Sequence, residues 1–205
     1  ERRGAGEVGA ADAGRAVVLP SPTPSSRSRS LVTTASDWGG VGLLQTPSAR
    51  MEEAGNLTVN FSRIYPYLQG NVMVQPLDWL EAGFRYTNIS NRLYSPDPSF
   101  SGDQSLKDKS FDAKFRLWTE SAYVPQVALG FRDFAGTGLF SGEYLAASKR
   151  TGPLDWSLGL GWGYVGARGN LRNPLARLRP SFDTRKGSDA ATGGSFAFGS
   201  YFRGP

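Results

Sequence analysis

The feature that most limits what this chain can fold into is an alternation of apolar and polar residues with a period of two. It is clearest at 156–164, where Trp, Leu and Tyr alternate with Ser and Gly. A β-strand points successive side chains to opposite faces, so one face here would be bulky and the other nearly bare. Gly and Pro supply 26 and 13 of the 205 residues, which disfavours helices. We therefore predict an all-β fold.

The same alternation predicts about eight strands. Most of them span about 8–11 residues, close to the 9–11 residues with which a tilted strand crosses a bilayer. Short connections fall at one end of the predicted sheet and long ones at the other, as in outer-membrane barrels. We expect an antiparallel up-and-down meander that forms a transmembrane β-barrel or part of a larger one. The predicted strands are 55–63, 70–76, 79–88, 111–119, 125–133, 140–149, 156–166 and 195–202.

Composition divides the chain into two parts. Residues 1–36 are rich in Ala, Gly, Ser, Pro and Arg, and we predict a disordered basic leader there. Residues 37–205 form the predicted barrel segment. The net charge of +5 comes from the leader and from the stretch 167–186 rather than from a folded face. Nucleic acid is therefore not an expected partner.

The residue inventory excludes several kinds of chemistry. The chain has no Cys and no His, which removes disulfides, thiolate metal sites and Ser-His-Asp triads. Residues 161–166 match G-x-G-x-x-G, but they lie inside a predicted strand rather than between a strand and a helix. The acidic residues are spread among nearly equal numbers of Lys and Arg. We expect no cofactor, no metal and no catalytic activity.

Alternation also assigns side chains to the two faces of the barrel. Polar side chains on one face are expected to point into the lumen of the barrel. Aromatic side chains on the other face, or in the short turns, are expected to meet lipid or the membrane interface. The predicted lumen-facing residues are Glu81, Arg85, Asp112, Lys114, Arg116 and Arg132. The predicted lipid-facing or interface aromatics are Trp79, Phe84, Tyr86, Phe115, Phe131, Trp156, Trp162 and Tyr164.

A soluble antiparallel β-sandwich that binds carbohydrate is the alternative, since it also alternates apolar and polar residues. Loop 91–110 would then hold a sugar through aromatics such as Tyr94. The glycine-rich face opposite the Trp and Leu side chains favours the barrel, because soluble sandwiches usually expose Lys, Glu and Thr on that side.

Several long segments resemble, in the same order, the YjbH family of Gram-negative outer-membrane proteins. They are DWGGVGLLQTPSAR (37–50), FSGDQSLKDKSFD (100–112), GTGLF (136–140), YLAASK (144–149), LGLGWGY (158–164) and FGSYFRGP (198–205).

The resemblance spans about residues 37–205. It implies a non-catalytic barrel in the outer membrane that takes part in exopolysaccharide or capsule biosynthesis or export. Its partners would be outer-membrane lipid, the exopolysaccharide and other proteins encoded with it. Family members are several times longer, so the chain is expected to be an N-terminal fragment or a truncated product.

Overall fold

The computed structural model describes residues 33–169, 171–185 and 201–204. Its main element is a seven-stranded antiparallel sheet in which every strand pairs with its neighbours in the chain, in the order β3-β4-β5-β6-β7-β8-β9. The strands are β3 (Leu57–Ile64), β4 (Tyr67–Leu77), β5 (Leu80–Leu93), β6 (Ser105–Trp118), β7 (Gln126–Gly136), β8 (Gly142–Thr151) and β9 (Leu154–Gly163).

The remaining elements are short. Strands β1 (Gly42–Leu43) and β2 (Thr46–Pro47) form a small hairpin before the sheet. Helix α1 (Pro98–Ser101) lies between β5 and β6, and 3₁₀ turns at Pro174–Arg177 and Pro180–Phe182 follow β9. No helix in the described ranges is long and apolar enough to cross a membrane.

The prediction of an all-β antiparallel meander is confirmed. Strands β5 and β6 extend further into the predicted loop 89–110, because Ile89 pairs with Leu106 and Leu93 with Ser105. The predicted strand 195–202 lies outside the described residues except for its last two, which form a turn. The predicted leader lies outside them up to residue 32.

The two faces of the sheet have opposite polarity, and the polar face is the buried one. We call this polar face the inner face and the opposite one the outer face. The buried polar side chains of the inner face are Gln69, Asn71, Gln75, Glu81, Arg85, Thr87, Asp108, Ser110, Asp112, Lys114, Gln126, Arg132 and Ser148. Large exposed side chains on the outer face are Leu57, Val59, Phe61, Leu68, Val72, Val74, Tyr86, Phe111, Leu117, Leu145, Trp156, Leu158 and Leu160.

The inner face is covered by residues 33–56, which we call the N-terminal segment. This single stretch reaches all seven strands, so the sheet curls around it like half of a barrel. Its polar partners on successive strands are Ser62, Asn71, Glu81, Lys114, Gln126, Ser148 and Asp155.

A glycine on the inner face allows the close approach of a large ring. Gly130 pairs across the strands with Tyr144, whose ring lies over it. A Cβ atom at Gly130 would stand 2.0 Å from Cζ of Tyr144, well inside van der Waals contact. Tyr144 in turn packs against Ala49 of the N-terminal segment, so the glycine lets the segment lie close to the sheet.

We predict that Gly130→Ala destabilises the fold by about 1–3 kcal/mol, because the new methyl group must displace the buried Tyr144 ring. Chemical denaturation measures the loss. Gly70→Ala is the matched control, since its Cβ would meet only the edge of the exposed Phe61 ring at 3.3 Å. Equal stability of the two variants would contradict this packing.

Candidate functional site: the polar face around Trp38

Lys114 connects the inner face of the sheet to the N-terminal segment. Its Nζ donates to the carbonyl oxygens of Val41 (3.1 Å) and Arg50 (2.8 Å), and it lies 3.1 Å from Oε2 of Glu81. The same carboxylate oxygen accepts the backbone N–H of Val41 at 3.2 Å. Only 2% of the Lys114 side chain is exposed. A buried ammonium is tolerable only when its donors are used and its charge is matched, and both conditions hold here.

Trp38 is the aromatic centre of the inner face. Its ring lies edge-on to Phe140 and Tyr164, with centroids 5.4 and 5.5 Å away. Two guanidinium groups lie over it: Cζ of Arg85 is 4.5 Å and Cζ of Arg132 4.7 Å from the centroid. Such cation–π contacts gain strength when they are removed from water.

The two arginines over Trp38 differ in how their charge is balanced. Arg85 forms a two-pronged ion pair with Asp112, at 2.5 and 3.2 Å. Arg132 makes one long hydrogen bond, from Nη2 to the carbonyl oxygen of Gln45 at 3.4 Å. No carboxylate of the described residues lies within ion-pairing distance of Arg132.

Arg50 fastens the N-terminal segment at the end of the sheet where β4 turns into β5, β6 into β7 and β8 into β9, which we call the short-turn end. Its guanidinium bonds both carboxylate oxygens of Asp155, at 3.1 and 2.5 Å, and one of Glu120, at 2.6 Å. Glu120 also accepts from Lys149 Nζ (2.9 Å) and from the backbone N–H of Arg150 (2.8 Å). Burial opposes ionisation of Glu120, but these donors outweigh it and lower its pKa to about 2.

Beyond Trp38, a cleft of about 620 Å³ opens along β9 and the residues that follow it. Arg132, Tyr164 and Arg168 line it together with Trp38 and the polar residues Gln45 and Thr46. Its volume lies within the usual range for small-molecule sites.

The structure places the predicted lumen-facing residues in two environments. Five of them are buried against the N-terminal segment or among each other, and Arg116 is half-buried near the end of β6. The space that they face is filled by Trp38 and its neighbours rather than left open. The five buried residues are Glu81, Arg85, Asp112, Lys114 and Arg132.

The predicted lipid-facing aromatics separate into three groups. Most lie on the outer face or in a short turn, partly or largely exposed: Trp79, Phe84, Tyr86, Phe115, Phe131 and Trp156. Trp162 also faces outward but is buried, since its Nε1 donates to Oδ1 of Asn173 and its ring meets Phe202. Tyr164 differs from the prediction because its ring packs on Trp38 and Phe140. The strand ends at Gly163, whose positive φ of 63° breaks the alternation.

Sequence reasoning gave no role to Trp38 or Arg50. Both lie in residues 37–50, which have no period of two and whose only signal is the family resemblance. Within the described ranges, no group of three or more His, Cys, Asp or Glu side chains is placed to hold a metal ion.

We predict that Lys114→Met releases the N-terminal segment and costs about 3–5 kcal/mol, because Glu81 is left buried without its cation. Trypsin cleavage after Arg50, which is 6% exposed in the fold, measures the release. The double variant Glu81→Met/Lys114→Met should recover part of the stability. If Arg50 is as well protected from trypsin in Lys114→Met as in the natural chain, Lys114 does not hold the N-terminal segment in place.

We predict that the contribution of the Arg50–Glu120 ion pair to folding stability depends on pH. The folded pKa of Glu120 is about 2, below its ordinary value of 4.5, so its contribution is complete above pH 4.5. That contribution is lost as the pH falls towards 2. The difference in melting temperature between the natural chain and Glu120→Gln should therefore shrink over this interval. Glu53→Gln, which changes an exposed carboxylate of the N-terminal segment, is the control and should show little difference at any pH.

The chain is similar to a known protein family and to a protein of known sequence. The family model described as "Exopolysaccharide biosynthesis protein YbjH" matches residues 34–205. The chain is 51% identical over 170 residues to a protein of Escherichia coli K12 named "Uncharacterized lipoprotein YjbH". No match was found among solved structures.

The alignment covers 83% of this chain and 24% of that relative, so the chain spans about a quarter of the relative's length. The family match covers nearly all of the residues that the structure describes. On this evidence the chain belongs to the YjbH family of exopolysaccharide biosynthesis proteins.

Proposed function

We propose that the chain forms part of the wall of an outer-membrane β-barrel that takes part in exopolysaccharide biosynthesis or export without catalysing a reaction. The observation that carries the proposal is the inverted polarity of the sheet, with polar residues buried inside and large apolar residues exposed outside. A protein that folds in water gains stability from the opposite arrangement. A sheet that faces hydrocarbon needs this one.

The outer face has the size expected for a bilayer contact. Its strands run from 8 residues in β3 to 14 in β5 and β6, against the 9–11 needed for a tilted crossing. Phe61 and Leu158 on this face are 80% and 69% exposed. An apolar surface that extends across a whole sheet marks a membrane or protein contact.

Exposed aromatics gather at the short-turn end of the sheet. Trp79 and Tyr123 lie in turns, Trp118 ends β6 and Trp156 lies near the start of β9; all four are exposed. Trp and Tyr favour the headgroup region, so these residues would form a belt at one membrane interface. The longest described connection between strands, residues 94–104, lies at the opposite end of the sheet. Outer-membrane barrels turn their long loops away from the periplasm, which would place the belt and Arg50 on the periplasmic side.

Inside the barrel, the N-terminal segment would occupy the lumen rather than leave it open. Lys114 and Glu81 hold its backbone, and Trp38 occupies the space between Arg85 and Arg132. An assembly role, in which the barrel presents a site to the glycan, fits this interior better than a wide conduit through it. Outer-membrane lipid, the exopolysaccharide and proteins encoded with the chain are its proposed partners.

Val72→Arg tests the proposal, because the substitution destabilises the fold much more if residue 72 faces lipid than if it faces water. Val72 is exposed in the middle of β4, between Val59 and Phe84 on the outer face. If it faces the bilayer, the charge costs about 2–4 kcal/mol of folding stability in lipid vesicles. If the chain is a water-soluble sandwich, an exposed substitution costs within about 0.5 kcal/mol.

Denaturant unfolding of the chain in vesicles measures this cost. Gln104→Arg, in the loop before β6, is the matched control and should be neutral. A neutral Val72→Arg variant together with cooperative folding in plain buffer would reject the barrel in favour of the soluble sandwich.

A further inference from the structure

The cleft beside β9 carries an excess of positive charge. Two of its lining residues are arginines, and none of its described lining residues is Asp or Glu. Arg168 is exposed at one wall, and Arg132 lies at the inner end against Trp38. The cleft is therefore a region of positive potential with a largely uncharged lining, which would attract anions.

Arg132 is the strongest sign that a ligand belongs there. It is 7% exposed, and its described polar contact is the single 3.4 Å bond to Gln45. A guanidinium has five N–H donors, so most of its hydrogen-bonding capacity is unused. Burying a charge without a partner is costly, and natural proteins normally pair it or bond it fully. Arg85, on the same tryptophan, shows the paired arrangement with Asp112.

We propose that this cleft binds an acidic saccharide and that Arg132 receives its carboxylate. The planar fork of an arginine matches a carboxylate through two parallel hydrogen bonds. The bound anion would balance the positive charge of Arg132 and accept hydrogen bonds from its unused N–H groups. Arg168 would add a second, solvent-exposed attraction near the entrance.

The rest of the lining suits a sugar ring. The Tyr164 ring is 38% exposed and lines the cleft next to Trp38, offering a flat apolar surface. Gln45 and Thr46 also line the cleft and carry amide and hydroxyl groups that can bond sugar hydroxyls. Rings beside a few polar groups are typical of small-ligand sites. This inference rests on the proposed function for its choice of a saccharide.

The test measures binding by calorimetry to the full chain folded in lipid nanodiscs. The probes are trigalacturonate and its neutral counterpart, galactotriose. We expect the acidic trisaccharide to bind at least about tenfold more tightly, a difference of about 1.4 kcal/mol. Added salt should weaken the binding of trigalacturonate, mainly because it screens the charge of the exposed Arg168.

Two variants locate the site. Arg132→Gln should abolish the preference for the acidic sugar. Because Arg132 also packs on Trp38, Arg168→Gln provides a second test that leaves the fold untouched, since no described carboxylate pairs with Arg168. It should lower the affinity about tenfold. Arg150→Gln removes an equal charge at the short-turn end, outside the cleft, and should leave binding unchanged.

The outcomes separate this inference from the proposed function. Equal binding of the two sugars, no binding of either, or unchanged binding in both cleft variants would overturn the saccharide site, even if Val72→Arg shows that the chain spans a bilayer. Binding that depends on Arg168 in a chain that folds in buffer alone would support the cleft and reject the barrel.

Discussion

The structure depends on the contact of the Lys114 ammonium with Glu81 and with two backbone carbonyls of the N-terminal segment. An inner face made of Lys, Arg, Asp and Gln side chains has no core of its own. It becomes a stable interior only because a stretch of irregular chain supplies backbone donors and acceptors to β3 to β8 and the Arg50 side chain to β9. The segment therefore takes the place that a second sheet or a layer of helices has in a soluble fold.

That interior explains why the outer face is free to be apolar. With the polar face covered by the N-terminal segment, the hydrophobic residues of β3 to β9 remain without a protein partner over most of the sheet. The exception is the region of Trp162 and Glu143, where Arg185 pairs with the Glu143 carboxylate at 2.9 and 3.0 Å. The charge of Glu143 on this face is thus neutralised.

Period-two alternation predicted the strands and their faces because each residue type reports the environment of its own side chain. Phe84 and Arg85 lie on opposite faces as expected. Alternation carried no information about residues 37–54, which have no repeating geometry, so the roles of Trp38 and Arg50 were not predictable. It also failed at Tyr164, because a single positive φ at Gly163 changes the direction of the chain. Strand ends in β5 and β6 depended on pairing between distant residues rather than on local pattern.

Spin labels on the outer face test the central claim most directly, and the absence of native cysteine makes single labelling sites simple to create. Labels at Val59→Cys and Val72→Cys should collide with oxygen far more often than with a water-soluble nickel complex when the chain is in lipid vesicles. A label at Gln104→Cys should show the reverse. Equal access of the nickel complex to all three positions would contradict an outer face that contacts lipid.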